Sequence, residues 1–321
     1  MAKYFVTGAT GFIGGEIVKQ LIGRGHTVVA LVRSPDKAGM LKALGVQIHA
    51  GDVTDRETLR APMTGVDGVF HVAAWYKVGV TEPLADQINV DGTRNVLSAA
   101  TDAATPRVVY TSTLAVNGDT GGRTVDESYR FTGSHLTAYD ASKAAAHALV
   151  DQTDHERLPV VTVMPGGVYG PGDTGQIGAL MARIAAGKRV VVTAGPRMCQ
   201  AHVEDVARGH LLAMQRGQPG QSYMLAGPQI ALGDLLDLVA DIAGTGRPLR
   251  VPTPALRALT GLAGSLGSVL PLPPTYSAET MRVAAASYLG SPAKARRDLG
   301  WTCRPLRQGI EQTVGALRGD A

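Results

Sequence analysis

Tyr139 and Lys143, in the stretch YDASK, stand four residues apart, the spacing that puts two side chains one turn apart on the same helix face. An ammonium beside a phenol stabilises the phenolate, so this spacing predicts a tyrosine pKa brought down from about 10 toward working pH. Tyr139 is then a general acid or base. A second pattern lies at the start of the chain. Thr7-Gly8-Ala9-Thr10-Gly11-Phe12-Ile13-Gly14 follows an apolar run and opens an amphipathic one, with Gly8, Gly11 and Gly14 at intervals of three. Glycine permits a tight turn and a close approach of backbone to a pyrophosphate, whose charge faces the free N–H groups of a helix N-terminus. The strand–turn–helix–strand context that this reading requires is complete within about 30 residues. Where an NAD-binding unit places a carboxylate against the adenosine ribose, the second strand ends in Arg33, with Lys37 close behind. A guanidinium pairs with a 2′-phosphate that a carboxylate would repel, so NADP(H) is favoured and NAD(H) is the alternative.

These groups need elements to hold them. Short, nearly continuous apolar runs at 3–7, 27–32, 46–50, 68–74, 107–112 and 159–164 read as strands covered on both faces. Helical patterns fit between them at 12–24, 55–63, 84–101 and 138–157, with Gly25 placed as a left-handed stop after the first. Strands alternating with helices predict an α/β fold, a Rossmann-type doubly wound parallel sheet. Beyond Pro165 the pattern loosens, with helical stretches at 177–186, 203–214, 232–243 and 306–317. We expect a dinucleotide-binding domain over 1–165 and a smaller, partly discontinuous substrate lobe over 166–321, with segments around 190–225 returning to the first domain.

The composition closes off other classes. Of 321 residues, 45% are hydrophobic, which is ordinary for a folded chain, and the 40 glycines follow no three-residue period. A formal net charge of +4, spread without like-charge runs, argues against a nucleic-acid partner. Two cysteines, Cys199 and Cys303, make no disulfide framework, so free thiols and a reducing compartment are expected. The N-terminus enters a strand pattern without a signal-peptide layout, which predicts a cytoplasmic protein. The apolar stretch at 258–270 is too short to span a membrane and reads as a buried or site-covering helix. The histidines show no metal-ligand spacing, and no metal is expected.

Taken together, the motifs identify the chain as resembling the extended short-chain dehydrogenase/reductase family, also described as NAD-dependent epimerases and dehydratases. The resemblance is carried by TGATGFIG from Thr7, GDVTD from Gly51, HVAAW from His71, NVDGT from Asn89, YTSTLAV from Tyr110, YDASK from Tyr139 and PGGVYGPG from Pro165. HVEDVA from His202 and SPAKARRDLGW from Ser291 extend it almost to the C-terminus. It implies Tyr139 as catalytic acid/base, Lys143 tuning it while binding the nicotinamide ribose, and Thr113 hydrogen-bonding the reacting oxygen. It further implies that Asp52 and Val53 flank the adenine, that Ala73 and Ala74 line the cofactor channel, and that Pro165, Gly166 and Val168 lie under the nicotinamide. His71 and Asn89 are expected as scaffold hydrogen-bonders.

Three branches of the family use this machinery differently. The chain is similar in motif to dihydroflavonol and cinnamoyl reductases, which release a reduced ketone or aldehyde. Nucleotide-sugar epimerases and dehydratases retain NAD, and 3β-hydroxysteroid dehydrogenases run the chemistry oxidatively; these are the alternatives. Arg33 favours the reductase. So does Met198-Cys199-Gln200-Ala201, which stands where sugar-nucleotide enzymes carry an RDF-like segment, although Arg197 is one position away. The Asn of those enzymes after the sixth strand is absent, with Gly166-Gly167 in its neighbourhood. Substrate contacts are expected from Trp75, Tyr76, Lys77, Thr113, the 117–123 loop, Tyr169 and Met198, a set suited to a small apolar or ring-containing molecule. By the same resemblance, the alanine-rich helices at 84–101 and 138–157 imply a homodimer through a four-helix interface.

Overall fold

Strands as uniformly apolar as VVALV or VVTVM leave no face for water, so helices must cover both sides of any sheet they form. In the computed structural model, which describes residues 1–76, 81–193, 195–251 and 286–319, they do. β1 (Lys3–Thr7), α1 (Phe12–Gly23), β2 (Thr27–Val32), α2 (Gly39–Ala43), β3 (Gln47–Ala50), α3 (Glu57–Met63) and β4 (Gly68–His71) open the chain. α4 (Glu82–Asp86), α5 (Gly92–Asp102), β5 (Val108–Thr111), α6 (Ala138–Asp151) and β6 (Val160–Pro165) continue the alternation. Next come β7 (Gly167–Tyr169), α7 (Gln176–Ala185), β8 (Val191–Thr193), β9 (Arg197–His202), α8 (Val203–Arg216) and β10 (Ser222–Leu225). β11 (Gln229–Ala231), α9 (Leu232–Ala243), β12 (Leu249–Val251) and α10 (Leu306–Arg318) follow.

The main sheet has seven strands in the order β10-β6-β5-β4-β1-β2-β3, every neighbouring pair parallel. The order reverses at β1, which opens a crevice at the carboxyl ends of β1 and β4. One face is packed by α1 and α8 through Ile17, Val18, Leu21, Val206 and Leu211, with the fully buried Trp301 donating its indole N–H to the Asp205 carbonyl at 2.8 Å. The other face carries Leu59, Met63, Val96, Ala146 and Val150 from α3, α5 and α6. A separate core of Met181, Ile184, Leu235, Leu236, Val239 and Ile310 joins α7, α9 and α10. β7 pairs in parallel with β9, which pairs antiparallel with β11, and β8 pairs with β12.

Several boundaries differ from the sequence expectation. The fourth strand stops at His71 and does not run to 74, because the Thr7 hydroxyl takes the N–H groups of Val72 and Ala73, each at 3.2 Å. The helix expected over 84–101 begins at Glu82 and is interrupted by a π-turn at Gln87–Asp91. The helix expected over 138–157 ends at Asp151; the Asp154 carboxylate accepts the N–H groups of Glu156 and Arg157, a local turn that competes with helix. Gly25 has φ +76°, the left-handed stop its position predicts. The apolar stretch at 258–270 lies outside the described residues. Among the described residues no helix is long and apolar enough to cross a membrane, and Cys199 and Cys303 are free thiols.

Candidate active site

The glycine turn is built so tightly that side chains are excluded. Gly8 has φ +72°, and a Cβ there would stand 2.7 Å from the Ala73 nitrogen; a Cβ on Gly14 would stand 2.2 Å from the Gly8 carbonyl oxygen. The Gly11 N–H closes the turn on that same oxygen at 2.9 Å. Among the described residues no side chain caps α1, which leaves the N–H groups of its first turn for an acceptor from outside the helix. Thr10 and Gly11 are exposed at the rim, with Phe12 and Ile13 half-buried behind them. This is the cradle a dinucleotide pyrophosphate requires. Arg33 and Lys37, just past β2, are both exposed, and neither is paired with a carboxylate among the described residues. In the loop after β3, Asp52 accepts the Thr54 N–H at 2.9 Å and its hydroxyl at 3.0 Å, which fixes the carboxylate. The Val53 side chain is buried in the core against Gly92, so its backbone edge is the part that would meet an adenine.

Thr137 caps α6 by accepting the Asp140 N–H at 3.0 Å, which sets Tyr139 in the first turn. The Tyr139 hydroxyl and the Thr113 side chain face one another across the gap between α6 and the end of β5, close enough for Thr113 to favour the phenolate. Thr113 itself accepts the Ala115 N–H at 3.2 Å, so its rotamer is held by backbone. Lys143 departs from the expected geometry. The helical spacing does put it on the Tyr139 face, but its stem carries the ammonium inward, where Nζ donates to the Thr111 carbonyl at 2.7 Å and to the Tyr110 hydroxyl at 3.0 Å. Only 2% exposed, it is pulled down to about 7 by burial. Tyr139 is correspondingly raised above its ordinary value by desolvation, opposed by the Thr113 side chain, and stands as the neutral phenol.

Tyr110 belongs to this centre, and spacing alone did not single it out. Its hydroxyl accepts from Lys143 at 3.0 Å with the Thr93 side chain close by, and its ring lies beside His71 with centroids 5.7 Å apart. The available signal was its place three residues before Thr113 on a strand facing α6. His71 is a strut: Thr93 spends its proton on the Asn89 carbonyl at 2.6 Å, so His71 Nε2–H donates to Thr93 at 2.9 Å and Nδ1 accepts from Thr7 at 2.9 Å. Burial, aided by Lys143, holds His71 down to about 3. His210 is held down to about 4 by burial while joining Thr111 at 2.9 Å to the Val206 carbonyl at 2.8 Å. The unfolded chain takes up a proton at each histidine below about pH 6.5, and the folded chain resists until about 3 or 4. Stability is therefore fully present above pH 6.5 and lost as pH falls. The melting temperature should drop between pH 6.5 and 4 more steeply than that of His210→Gln; parallel slopes in calorimetry would contradict this.

On the substrate side, Asn89 accepts the Trp75 N–H at 2.8 Å and donates to the Trp75 carbonyl and to Ser142, which pins the loop after β4 onto α6. Tyr76 is 64% exposed and meets the Tyr139 ring edge-on, centroids 5.8 Å apart. Ala73 is half-buried and Ala74 exposed along this loop, while Lys77 lies outside the described residues. Pro165 ends β6, Gly166 packs on the Cys199 carbonyl, and Val168 and Met198 are half-buried on neighbouring strands β7 and β9. Tyr169 does not join them. It is 1% exposed, edge-on to His202 at 5.6 Å and packed under Gly309, so it belongs to the core of the second lobe. The 117–123 loop is strapped by the C-terminal segment, with the Thr120 N–H donating to the Ser287 carbonyl at 2.8 Å. Among the described residues no cluster of His, Cys, Asp and Glu could hold a metal ion.

The sequence profile described as NAD dependent epimerase/dehydratase family matches residues 4–226. A protein of Stigmatella aurantiaca named 4-hydroxy-2-methyl-3-oxo-4-farnesyl-3,4-dihydroquinoline-1-oxide ketoreductase is 36% identical, covering 98% of this chain and 96% of its own. The 3 beta-hydroxysteroid dehydrogenase/Delta 5-->4-isomerase of Mycobacterium tuberculosis is 30% identical, over 94% of this chain and 86% of its own. Among solved structures, that titled crystal structure of gox2253 superposes with a TM-score of 0.84 at 30% identity, covering 100% of this chain and 99% of that one.

Proposed function

The chain belongs to the NAD dependent epimerase/dehydratase family, the extended short-chain dehydrogenases/reductases, and from that premise we propose that it is an NADPH-dependent reductase of a ketone or aldehyde on a small, apolar or ring-containing substrate. The observation that carries this reading is the facing of Tyr139 and Thr113 at the carboxyl end of β5, at the crevice that also holds the side-chain-free turn of Gly8 and Gly14. A tyrosine held as the phenol is an acid in waiting, which suits reduction.

Gly8, Thr10, Gly11, Phe12, Ile13 and Gly14 would hold the pyrophosphate, Arg33 and Lys37 a 2′-phosphate, and Lys143 the nicotinamide ribose. Asp52 and Val53 would border the adenine, and Ala73, Ala74, Pro165, Gly166 and Val168 the rest of the channel. The cofactor, when bound, supplies the hydride. The chain supplies the rest: Thr113 and Tyr139 direct two hydroxyl donors at the carbonyl oxygen, where negative charge develops. The Tyr139 O–H bond then breaks and its proton passes to that oxygen, giving the alcohol. The Lys143 ammonium, held inward by Tyr110 and Thr111, would add positive potential to the site in which the phenolate charge appears. Trp75, Tyr76 and Met198 would border the substrate. The named substrate of the Stigmatella relative is itself an oxo compound, which supports a carbonyl substrate.

The sugar-epimerase reading is weaker here, since neither Gly167 nor Met198 carries a polar side chain for a diphosphate and Arg197 is exposed at the strand end. Oxidation of a hydroxysteroid is the second reading, favoured by the Mycobacterium relative. A homodimer through α4, α5 and α6 remains part of the proposal. The decisive test of the NADPH-dependent reading is a parallel titration with NADPH and NADH. NADPH should bind at least ten-fold more tightly, about 1.4 kcal/mol, and Arg33→Ala should erase the difference. Equal affinities in the wild type would overturn the NADPH assignment.

A further inference from the structure

Lys143 is a buried charge that no carboxylate neutralises. A lysine is almost never sunk this far unless an opposite charge pairs with it. Yet among the described residues its ammonium, 2% exposed, meets only two neutral oxygens, the Thr111 carbonyl at 2.7 Å and the Tyr110 hydroxyl at 3.0 Å. A carboxylate would cancel the charge that it held. A carbonyl and a phenol place the ammonium and leave its charge in force.

The roles around Tyr110 follow from what each group can donate. An ammonium has no lone pair, so the Tyr110 oxygen accepts from Nζ and turns its own proton elsewhere. Thr93 lies close by, and because it gives its proton to the Asn89 carbonyl at 2.6 Å, it offers its other neighbours lone pairs only. His71 takes one of them through Nε2–H at 2.9 Å, and its Nδ1 accepts from the Thr7 hydroxyl at 2.9 Å. Thr7 is the residue before Gly8. A row of polar side chains, none more than 2% exposed, therefore runs from the glycine turn to the Lys143 ammonium.

We infer that Tyr110 is a positioning residue: its hydroxyl, with the Thr111 carbonyl, fixes two of the three N–H groups of Lys143 and leaves the third, which has no acceptor among the described residues, for the cofactor's ribose. The row ties Lys143 to the turn that would take the pyrophosphate, so the two grips on the cofactor keep one spacing. This assignment rests on the dinucleotide reading of the crevice. The other titratable groups around Lys143 are His71 at the end of β4 and, along α6, Tyr139, His147 and the exposed Asp151. Burial lowers both histidines and raises Tyr139, which leaves Lys143, pulled down to about 7, as the group whose charge changes just above neutrality.

The test follows NADPH and NADH binding by fluorescence from below to above neutral pH, in the wild type, Tyr110→Phe, Lys143→Met and the double variant. Tyr110→Phe keeps the ring, whose centroid lies 4.6 Å from Nζ, and removes only the oxygen. It should weaken either nucleotide by about ten-fold, the effect expected of a hydrogen bond to a charged group. Because the ammonium has lost an acceptor, affinity should also fall with rising pH about one unit earlier than in the wild type. Lys143→Met should weaken binding and flatten the pH dependence, and adding Tyr110→Phe to it should change nothing further. Equal losses from Tyr110→Phe in the two backgrounds, or an affinity and pH dependence that it leaves unchanged, overturn the assignment while the cofactor site stands. A lower melting temperature with the pH dependence unmoved also overturns it, by showing the hydroxyl to be structural. The expected pattern with equal NADPH and NADH affinities upholds the assignment while the NADPH preference falls. A wild type that binds neither nucleotide overturns the dinucleotide reading and this inference with it.

Discussion

Replacing Tyr139 by Phe should lower kcat by about 10² to 10⁴-fold, the range that a positioned general acid contributes, while leaving cofactor affinity and melting temperature near the wild type. The ring stays, with its edge-on neighbour Tyr76; what goes is the hydroxyl that faces Thr113, and its proton. Thr113 remains anchored by the Ala115 N–H, so the site is not expected to collapse. Stopped-flow turnover with any ketone that the wild type accepts, alongside fluorescence titration of the cofactor, separates chemistry from binding. A loss below about three-fold would mean that the proton comes from elsewhere.

Gly14→Ala should weaken cofactor binding by at least 100-fold, about 2.7 kcal/mol, and lower the melting temperature as well. The added methyl would meet the Gly8 carbonyl oxygen at 2.2 Å, and the turn cannot retreat: Gly8 sits at φ +72° against the Ala73 backbone. Overpacking of this kind typically costs about 1–3 kcal/mol. Gly23, in the last turn of α1 with nothing within 4 Å, provides the control. Gly23→Ala should leave binding intact and hold or raise stability, because alanine is the better helix former. Isothermal titration and calorimetry on both variants decide the matter; a Gly14→Ala protein that binds like the wild type would remove the pyrophosphate cradle from the mechanism.

The first half of the fold was legible because its information is local. β1 and β2 match the apolar runs at 3–7 and 27–32 residue for residue, and α1 starts at Phe12 as the glycine turn requires. α9 likewise coincides with the pattern at 232–243. The short strands β7 to β12 went unseen, since segments of three to six residues with few periods carry too little alternation to stand out. Element ends failed where a side chain outbid the backbone: Thr7 at the end of β4, and Asp154 after α6.

By itself, the sequence determined the doubly wound sheet, the glycine turn that opens α1, and the placing of Tyr139 and Lys143 on one helical face, since each follows from neighbours within a few residues along the chain. Tertiary structure decided the rest. It sent the Lys143 ammonium to Tyr110 and Thr111 across the strand–helix gap, drew Tyr169 under Gly309, turned Val53 into the core, and left the Gln200 amide buried over Gly167 without a partner. Direction, burial and pairing at those positions depend on residues from about 30 to more than 100 positions away in the chain. Spacing can bring a group onto a face, but only the packed neighbours on that face settle what it touches and which proton it keeps.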